Sequence, residues 1–393
     1  MSKMTTAEQR TTLGLAGVYG VRMLGLFLIL PVFALYAETL AGATPLLTGV
    51  AIGIYGLTQA LLQIPFGSLS DRIGRKPVIY AGLALFMLGS IVAALAEHMW
   101  WVIIGRALQG SGAIAAAVMA LAADLTRVEQ RTKAMAMIGM TIGASFILAM
   151  VMGPALSNLM GVRGIFWLTA VLAVLAIVLV AVWVPTPTSD SLPSSHQRMS
   201  CRLRNVLSKK ELLRLDYGIF SLHLVLTALF LAIPLALRDQ GIALVDHSWI
   251  YLSLMVISIV VMLPFIFLAE RKGQVKVVFL GAVAVLMVVQ LWLWQSLDTF
   301  WPLLVGLGFF FTAFNLLEAT LPSLVSKVAP EEVKGIAMGV YSTAQFAGAF
   351  IGGVVGGWMH QQFGLSAVFL LGAVVMLSWL IFAFGMAKPT LKG

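Results

Sequence analysis

The chain is poor in cysteine, in charge and in histidine, and each shortage excludes something. A single cysteine, Cys201, rules out an intramolecular disulfide and any cysteine-based metal cluster. Charged residues fill 10% of the 393 positions, against about 25% in an ordinary soluble domain, so a soluble globular fold is excluded. With 5 histidines, and neither an H-E-x-x-H nor a G-x-S-x-G context, an intramembrane enzyme finds little support. It would need a nucleophile–base pair or metal ligands at membrane depth, and only His223 falls inside an apolar stretch. Acids are scarcer than bases, 16 against 25, for a net charge of +9. In a soluble chain that excess would suggest a polyanionic partner, and where the charges lie decides the matter.

What the chain has in quantity is apolar sequence: 60% hydrophobic residues, with 22 Phe, 20 Met and 10 Trp, and a mean hydropathy of +0.99. Stretches of about 20 such residues can span a bilayer core about 30 Å thick. Twelve are predicted: Leu13–Tyr36, Leu47–Leu69, Val78–Ala96, Trp101–Ala123, Ala134–Met152, Ile165–Val184, Tyr217–Leu237, Trp249–Ala269, Val277–Leu297, Trp301–Val325, Ile336–Met359 and Ala367–Met386. The first is longer than the roughly 7–15-residue core of a cleaved signal peptide and is read as a retained membrane helix. Interior prolines such as Pro31, Pro65, Pro154, Pro234 and Pro264 fit membrane bundles, where neighbouring helices re-satisfy the backbone.

One long polar stretch interrupts the series, from Pro185 into a basic run ending at Arg214. The expected organisation is therefore residues 1–184 as a first six-helix half, 185–213 as a cytoplasmic linker and 214–393 as a second half. Leu203, Val206, Leu207, Leu212 and Leu213 interleave with the bases of the linker, the pattern of a helix lying on anionic lipid. With both termini cytoplasmic, the outer loops receive only Arg163 and Arg238, and Arg22 and Arg106 fall inside spans. Every other base lies on the cytoplasmic side, as the positive-inside rule requires, so the +9 is a topology signal rather than a nucleic-acid footprint.

The halves repeat each other at an offset of about 200 residues. Pro65-Phe66 followed by Asp71-Arg72-Ile73-Gly74 is matched by Pro264-Phe265 followed by Glu270-Arg271-Lys272-Gly273. Gly139, Ala144, Phe146, Ala149 and Gly153 are matched by Gly339, Ala344, Phe346, Ala349 and Gly353, and Tyr19-Gly20 by Tyr217-Gly218. Parallel six-helix halves are an architecture of alternating-access transporters.

The loop Gly67-Ser68-Leu69-Ser70-Asp71-Arg72-Ile73-Gly74-Arg75-Lys76-Pro77 resembles the signature loop of the major facilitator superfamily. Arg106-Ala107-Leu108-Gln109-Gly110-Ser111-Gly112 in the fourth span is similar to the family's second motif. Gly153-Pro154 partly matches its antiporter motif, with Ser157-Asn158 in place of the trailing glycines. The resemblance covers nearly the whole chain and is to bacterial inner-membrane transporters of the drug/proton antiporter type. Some of these carry a soluble C-terminal domain, and a sequence ending at Gly393 is expected to lack it.

A charged turn that merely stops translocation is one reading of the Asp71–Lys76 loop. The resemblance implies another: Gly67, Asp71, Arg72, Gly74, Arg75, Lys76 and Asp124 would form a latch docking on the positive N-terminal end of the eleventh span. The second copy has Gln274 where Arg75 sits and is expected to be weaker.

Among the acids only Glu318 falls inside a span, where a charge costs at least about 2.5–3.5 kcal/mol unless paired or hydrated. At about 1.5 Å per residue, Arg22, His223 and Glu318 each lie roughly 14 Å from the cytoplasmic surface. They are either a structural ion pair with a hydrogen-bonded histidine, or a proton-coupling group in which Glu318 carries the proton, Arg22 is its charge partner and His223 assists. Arg106 either snorkels outward or belongs to the proton path. Gln59 and Gln63, Asn315, and Tyr341 and Gln345 are candidates for the substrate cavity, or else simple interhelical hydrogen bonds. The expected function is proton-coupled efflux of a lipophilic or amphipathic small molecule, with a proton-coupled uptake symporter as the alternative. No cofactor beyond the proton gradient, no metal and no nucleic acid is expected, and the chain is expected to act as a monomer in a bacterial inner membrane.

Overall fold

The computed structural model describes residues 4–186, 199–271, 273–330 and 333–386. Arg198 and Lys272 lie outside the described residues, as do the side chains of Cys201, Arg202 and Glu270, so the second copy of the signature loop lacks its acid side chain and one of its bases.

Among the described residues the protein is helical throughout. Its helices are α1 (Thr6–Phe27), α2 (Leu30–Ala37), α3 (Pro45–Ile73), α4 (Arg75–Leu95), α5 (Met99–Ser111), α6 (Ala115–Asp124) and α7 (Val128–Trp183). There follow α8 (Met199–Leu207), α9 (Lys210–Asp239), α10 (Leu244–Arg271), α11 (Val275–Ser296), α12 (Phe300–Val328), α13 (Lys334–Phe363) and α14 (Ala367–Phe384). Eleven stretches among the described residues are long and apolar enough to cross a membrane. The longest, α7, breaks at Gly161, whose φ of 70° leaves the helical region, so it counts twice and the total is the expected twelve.

The helices differ from the hydropathy spans at their ends and breaks. The first span begins a full turn and more earlier, at Thr6, because Thr5 caps α1 in a box with Glu8. It is then interrupted before Pro31, and the fourth span is interrupted between Ser111 and Ala115. Hydropathy windows register the core of a membrane helix but not its polar first turn or an internal bend. The linker is partly helical: α8 occupies Met199–Leu207, and α9 begins at Lys210, ahead of the predicted span. Pro65, Pro154, Pro234, Pro264 and Pro322 all sit inside helices, as membrane packing permits.

The described residues form two compact units. The first contains the residues before 44 and those from 57 up to the linker. Within it α1 and α4 pack along α7, and α4 crosses α5. That crossing brings backbone onto backbone: a Cβ on Gly105 would stand 2.7 Å from the Gly89 carbonyl oxygen. The second unit contains the residues from 199 onward, together with residues 44–56 of α3. Here α9 packs on α13, α11 on α12 and α14, and α10 on α12. The start of α3 joins this unit because Gly53 and Gly56 bear on backbone atoms of Phe350 and Phe346 in α13. Leu, Val and Phe side chains are exposed along many helices, and Trp100, Trp101, Trp249 and Trp301 are exposed near helix starts, the distribution of a lipid-facing surface with aromatic belts.

Candidate functional site

The signature loop folds around one guanidinium. Gly74, with φ 98°, supplies the left-handed turn that separates α3 from α4. Gly67 lets α3 approach α6, since a Cβ there would lie 3.1 Å from that of Ala116. Arg75, in the first turn of α4, is thereby turned inward and buried. It donates from Nε to Asp124 Oδ2 at 3.0 Å and from Nη1 to Ser70 Oγ at 2.9 Å, and pairs with Asp71. Asp71 and Arg72 face solvent, and Lys76 is half-buried. Asp71, Arg75 and Asp124 are thus brought together, with Ser70 as a member that sequence reasoning missed. Its hydroxyl also donates to the Gly67 carbonyl, a role invisible in a small residue within a motif.

A second interaction missed in the sequence ties α1 to the start of α7. Glu8 accepts from the Arg127 backbone N–H at 3.0 Å and from its Nε at 2.9 Å and Nη2 at 3.0 Å. The partners are far apart in sequence and each reads as an ordinary cytoplasmic charge. The Glu8 carboxylate holds the Arg127 guanidinium above its ordinary pKa.

Two arginines are buried at membrane depth in the first unit. Arg22 donates from Nη2 to Gln59, whose amide nitrogen reaches Gln63 Oε1 at 3.4 Å. The Gln59–Gln63 pair, one turn apart on α3, therefore forms part of the surroundings of Arg22 rather than an independent polar patch. Arg106 is fully buried and does not snorkel. Its Nη1 donates to Gln109 Oε1 at 2.8 Å, and Gln109 Nε2 donates to Ser90 Oγ at 2.8 Å, linking α5 to α4.

In the second unit the depth arithmetic brings two of its residues to one place. His223 Nε2 on α9 lies 3.9 Å from Glu318 Oε2 on α12. Gln345 on α13 joins them, its amide nitrogen 2.8 Å from His223 Nε2 and 3.4 Å from Glu318 Oε1. Asn315, one turn before Glu318, donates to Ser258 Oγ of α10 at 2.8 Å, and Tyr341 is buried one turn before Gln345. Asp216, which sequence position assigns to the cytoplasmic end of the seventh span, is buried. A cavity of about 590 Å³ lies elsewhere, near Arg10, Lys76 and Trp183, and includes none of the residues expected to line a substrate path. No group of His, Cys, Asp and Glu able to hold a metal is found among the described residues.

Among the described residues, twelve membrane-length helices in two compact units, with an acid, a histidine and two arginines placed inside them, define a polytopic membrane transporter. The chain belongs to the major facilitator superfamily, whose sequence profile matches residues 15–235 and 215–393. It is 49% identical over 98% of its length to the inner membrane transport protein YajR of Escherichia coli (strain K12), covering 85% of that protein. Multidrug resistance protein 2 of Bacillus subtilis (strain 168) is 27% identical, with 95% of each chain covered. Among solved structures, a bacterial homolog of the human lysosomal transporter Spinster, in an inward-facing and occupied conformation, superimposes with a TM-score of 0.77. That likeness covers 100% of this chain and 99% of the other at 15% identity, which establishes the fold alone.

Proposed function

We propose that the protein is a proton-coupled antiporter that expels lipophilic or amphipathic small molecules across a bacterial inner membrane, with both termini cytoplasmic. The observation that carries this reading is the membrane-embedded carboxylate of Glu318, set against His223 and Gln345, with no Lys or Arg paired to it among the described residues of its unit. A carboxylate held there without a neutralising partner is costly when charged, so a proton is its natural counterpart. A conformational change that alters its surroundings would load or release that proton.

Arg22 and Arg106 are the positive groups of the path, each held by glutamine. The aliphatic and aromatic bulk around them suits an apolar cargo better than a sugar. The multidrug resistance protein among its relatives supports the outward direction and the cargo class. The Ser70–Asp71–Arg75–Asp124 cluster supplies the cytoplasmic latch of this reading.

The test is transport in proteoliposomes under an imposed pH gradient, with ethidium as a lipophilic cation and glucose and alanine as small polar solutes. Ethidium movement against its gradient that is driven by protons, and lost in Glu318→Gln with ethidium counterflow retained, is the expected result. Driven accumulation of the polar solutes with the proton flow would instead make the protein an uptake symporter. Full pH-dependent transport in Glu318→Gln would remove Glu318 from the mechanism.

A further inference from the structure

We infer that Asp216 is a second proton-holding carboxylate, and that protons pass between it and Glu318 by way of the Tyr341 hydroxyl. The inference rests on the reading of Glu318 as the proton carrier. Asp216 sits in the second turn of α9, where its neighbours in sequence, Lys210, Glu211 and Arg214, suggest a solvated end. The structure places it otherwise, with 7% of its surface exposed and Oδ2 without a hydrogen-bond partner among the described residues.

The nearest charges on its own helix are already used. Arg214 pairs with Glu211 at 2.6 Å and also donates to the Gly385 carbonyl. From α14, Ser378 bonds Tyr217 and Trp379 packs on Gly218, so that side offers no charge. α13, which packs along α9, contributes the buried Tyr341. His223 lies two turns further along α9, beyond which no other acid of this helix is buried.

The packing of α9 on α13 fixes this placement. Gly348 bears on the backbone of Phe220 and Gly352 on that of Leu224, so both indices rise together and the two helices run parallel. Extended back by one turn, the register sets Asp216 level with residue 344 of α13, within a turn of both Tyr341 and Gln345. The Tyr341 hydroxyl and Glu318 Oε2 are likewise buried without hydrogen-bond partners among the described residues. Three such atoms on three packed helices can each hold or pass a proton, and the transfer requires side-chain rotation that brings the Tyr341 hydroxyl within hydrogen-bond reach of each carboxylate in turn.

The step is balanced. Glu318 in its acid form gives a proton to the Tyr341 oxygen, which gives its own to the Asp216 carboxylate. Glu318 ends as a carboxylate, Asp216 as the acid and the phenol unchanged, with no electron transferred. Asp216 thus holds the proton on the side of the membrane where α9 begins.

Infrared difference spectra of the full chain in liposomes, taken between acid and alkaline pH, read carboxylic C=O bands without any substrate. Two buried carboxylic bands are expected in the wild type, one absent from Asp216→Asn and the other from Glu318→Gln, with Asp216→Glu restoring the first. In Tyr341→Phe both bands should remain, while exchange between them after a pH jump slows by about tenfold or more. An Asp216→Asn spectrum identical to the wild type overturns the proton site, and an unslowed Tyr341→Phe overturns the path. A band that survives unchanged in Glu318→Gln while Asp216→Asn loses one refutes the role of Glu318 instead, so the two failures are distinguishable.

Discussion

Arg75 and Asp124, brought from two different helices, meet at 3.0 Å with side-chain exposures of 8% and 10%, whereas Asp71, the other carboxylate on the same guanidinium, is 55% exposed. The two pairs are therefore unequal. Removing one member of a buried pair costs roughly 3–5 kcal/mol because the other is left uncompensated, while exposed pairs contribute about 0–1 kcal/mol.

Asp124→Asn is accordingly expected to lower the thermal unfolding temperature of the detergent-purified protein clearly, and Asp71→Asn to leave it nearly unchanged. Arg75→Lys should resemble Asp124→Asn, since one ammonium cannot hold Asp124, Asp71 and Ser70 in the geometry of a planar guanidinium. Equal melting temperatures for the two Asn variants would mean that burial does not rank these partners.

The glycines of α13 divide in the same testable way. A side chain on Gly348 or Gly352 would strike the backbone of Phe220 or Leu224, but one on Gly339 meets nothing within 4 Å. Gly348→Ala and Gly352→Ala should each destabilise the second unit and reduce the yield of monodisperse protein. Gly339→Ala should be neutral or stabilising by about 0.5–1 kcal/mol, the usual gain on removing a helix-interior glycine. Denaturation midpoints of the three variants check the ranking.

The sequence contains all three glycine positions but not this difference among them, and the same limit runs through the rest of the molecule. Helix number was legible because charges and Gly/Pro clusters bracket each apolar stretch. The meeting of His223 with Glu318 was legible because equal distances from the cytoplasmic charges put them at equal depth. What was not legible depends on which face of a helix is covered. Asp216, two residues after Arg214, reads as a surface charge until the packing of α9 on α13 is known. The hydrogen bond from Arg22 on α1 to Gln59 on α3 likewise follows only from the packing. Glu8 and Arg127 carry no motif, and only the fold joins them.

Arg106 is fully buried, and its link through Gln109 to Ser90 joins α5 to α4 beside the Gly89–Gly105 crossing. Gln109→Leu removes both bonds at once, whereas Ser90→Ala removes only the second. The first should cost more in melting temperature, since a buried polar group stripped of a partner costs about 1–3 kcal/mol and more if charged. A Ser90→Ala variant less stable than Gln109→Leu would place the main support of Arg106 elsewhere.

Gln345 gives the most specific prediction for the second unit. Its amide nitrogen faces both His223 Nε2 and Glu318 Oε1, so it acts as the donor and the ring nitrogen accepts, leaving the imidazole proton on Nδ1. Gln345→Leu keeps the volume but withdraws the donor from one buried and one half-buried acceptor, at a cost of about 1–3 kcal/mol. If the proton-carrying form depends on this arrangement, proton-driven ethidium efflux should fall by about tenfold for each 1.4 kcal/mol lost from the driven step. Gln345→Glu adds a second carboxylate beside Glu318 and should shift the pH optimum of efflux, because like charges in one site do not both ionise readily. Unaltered rate and pH profile in both variants would show that Gln345 is packing alone and that the His223–Glu318 pair does not need it.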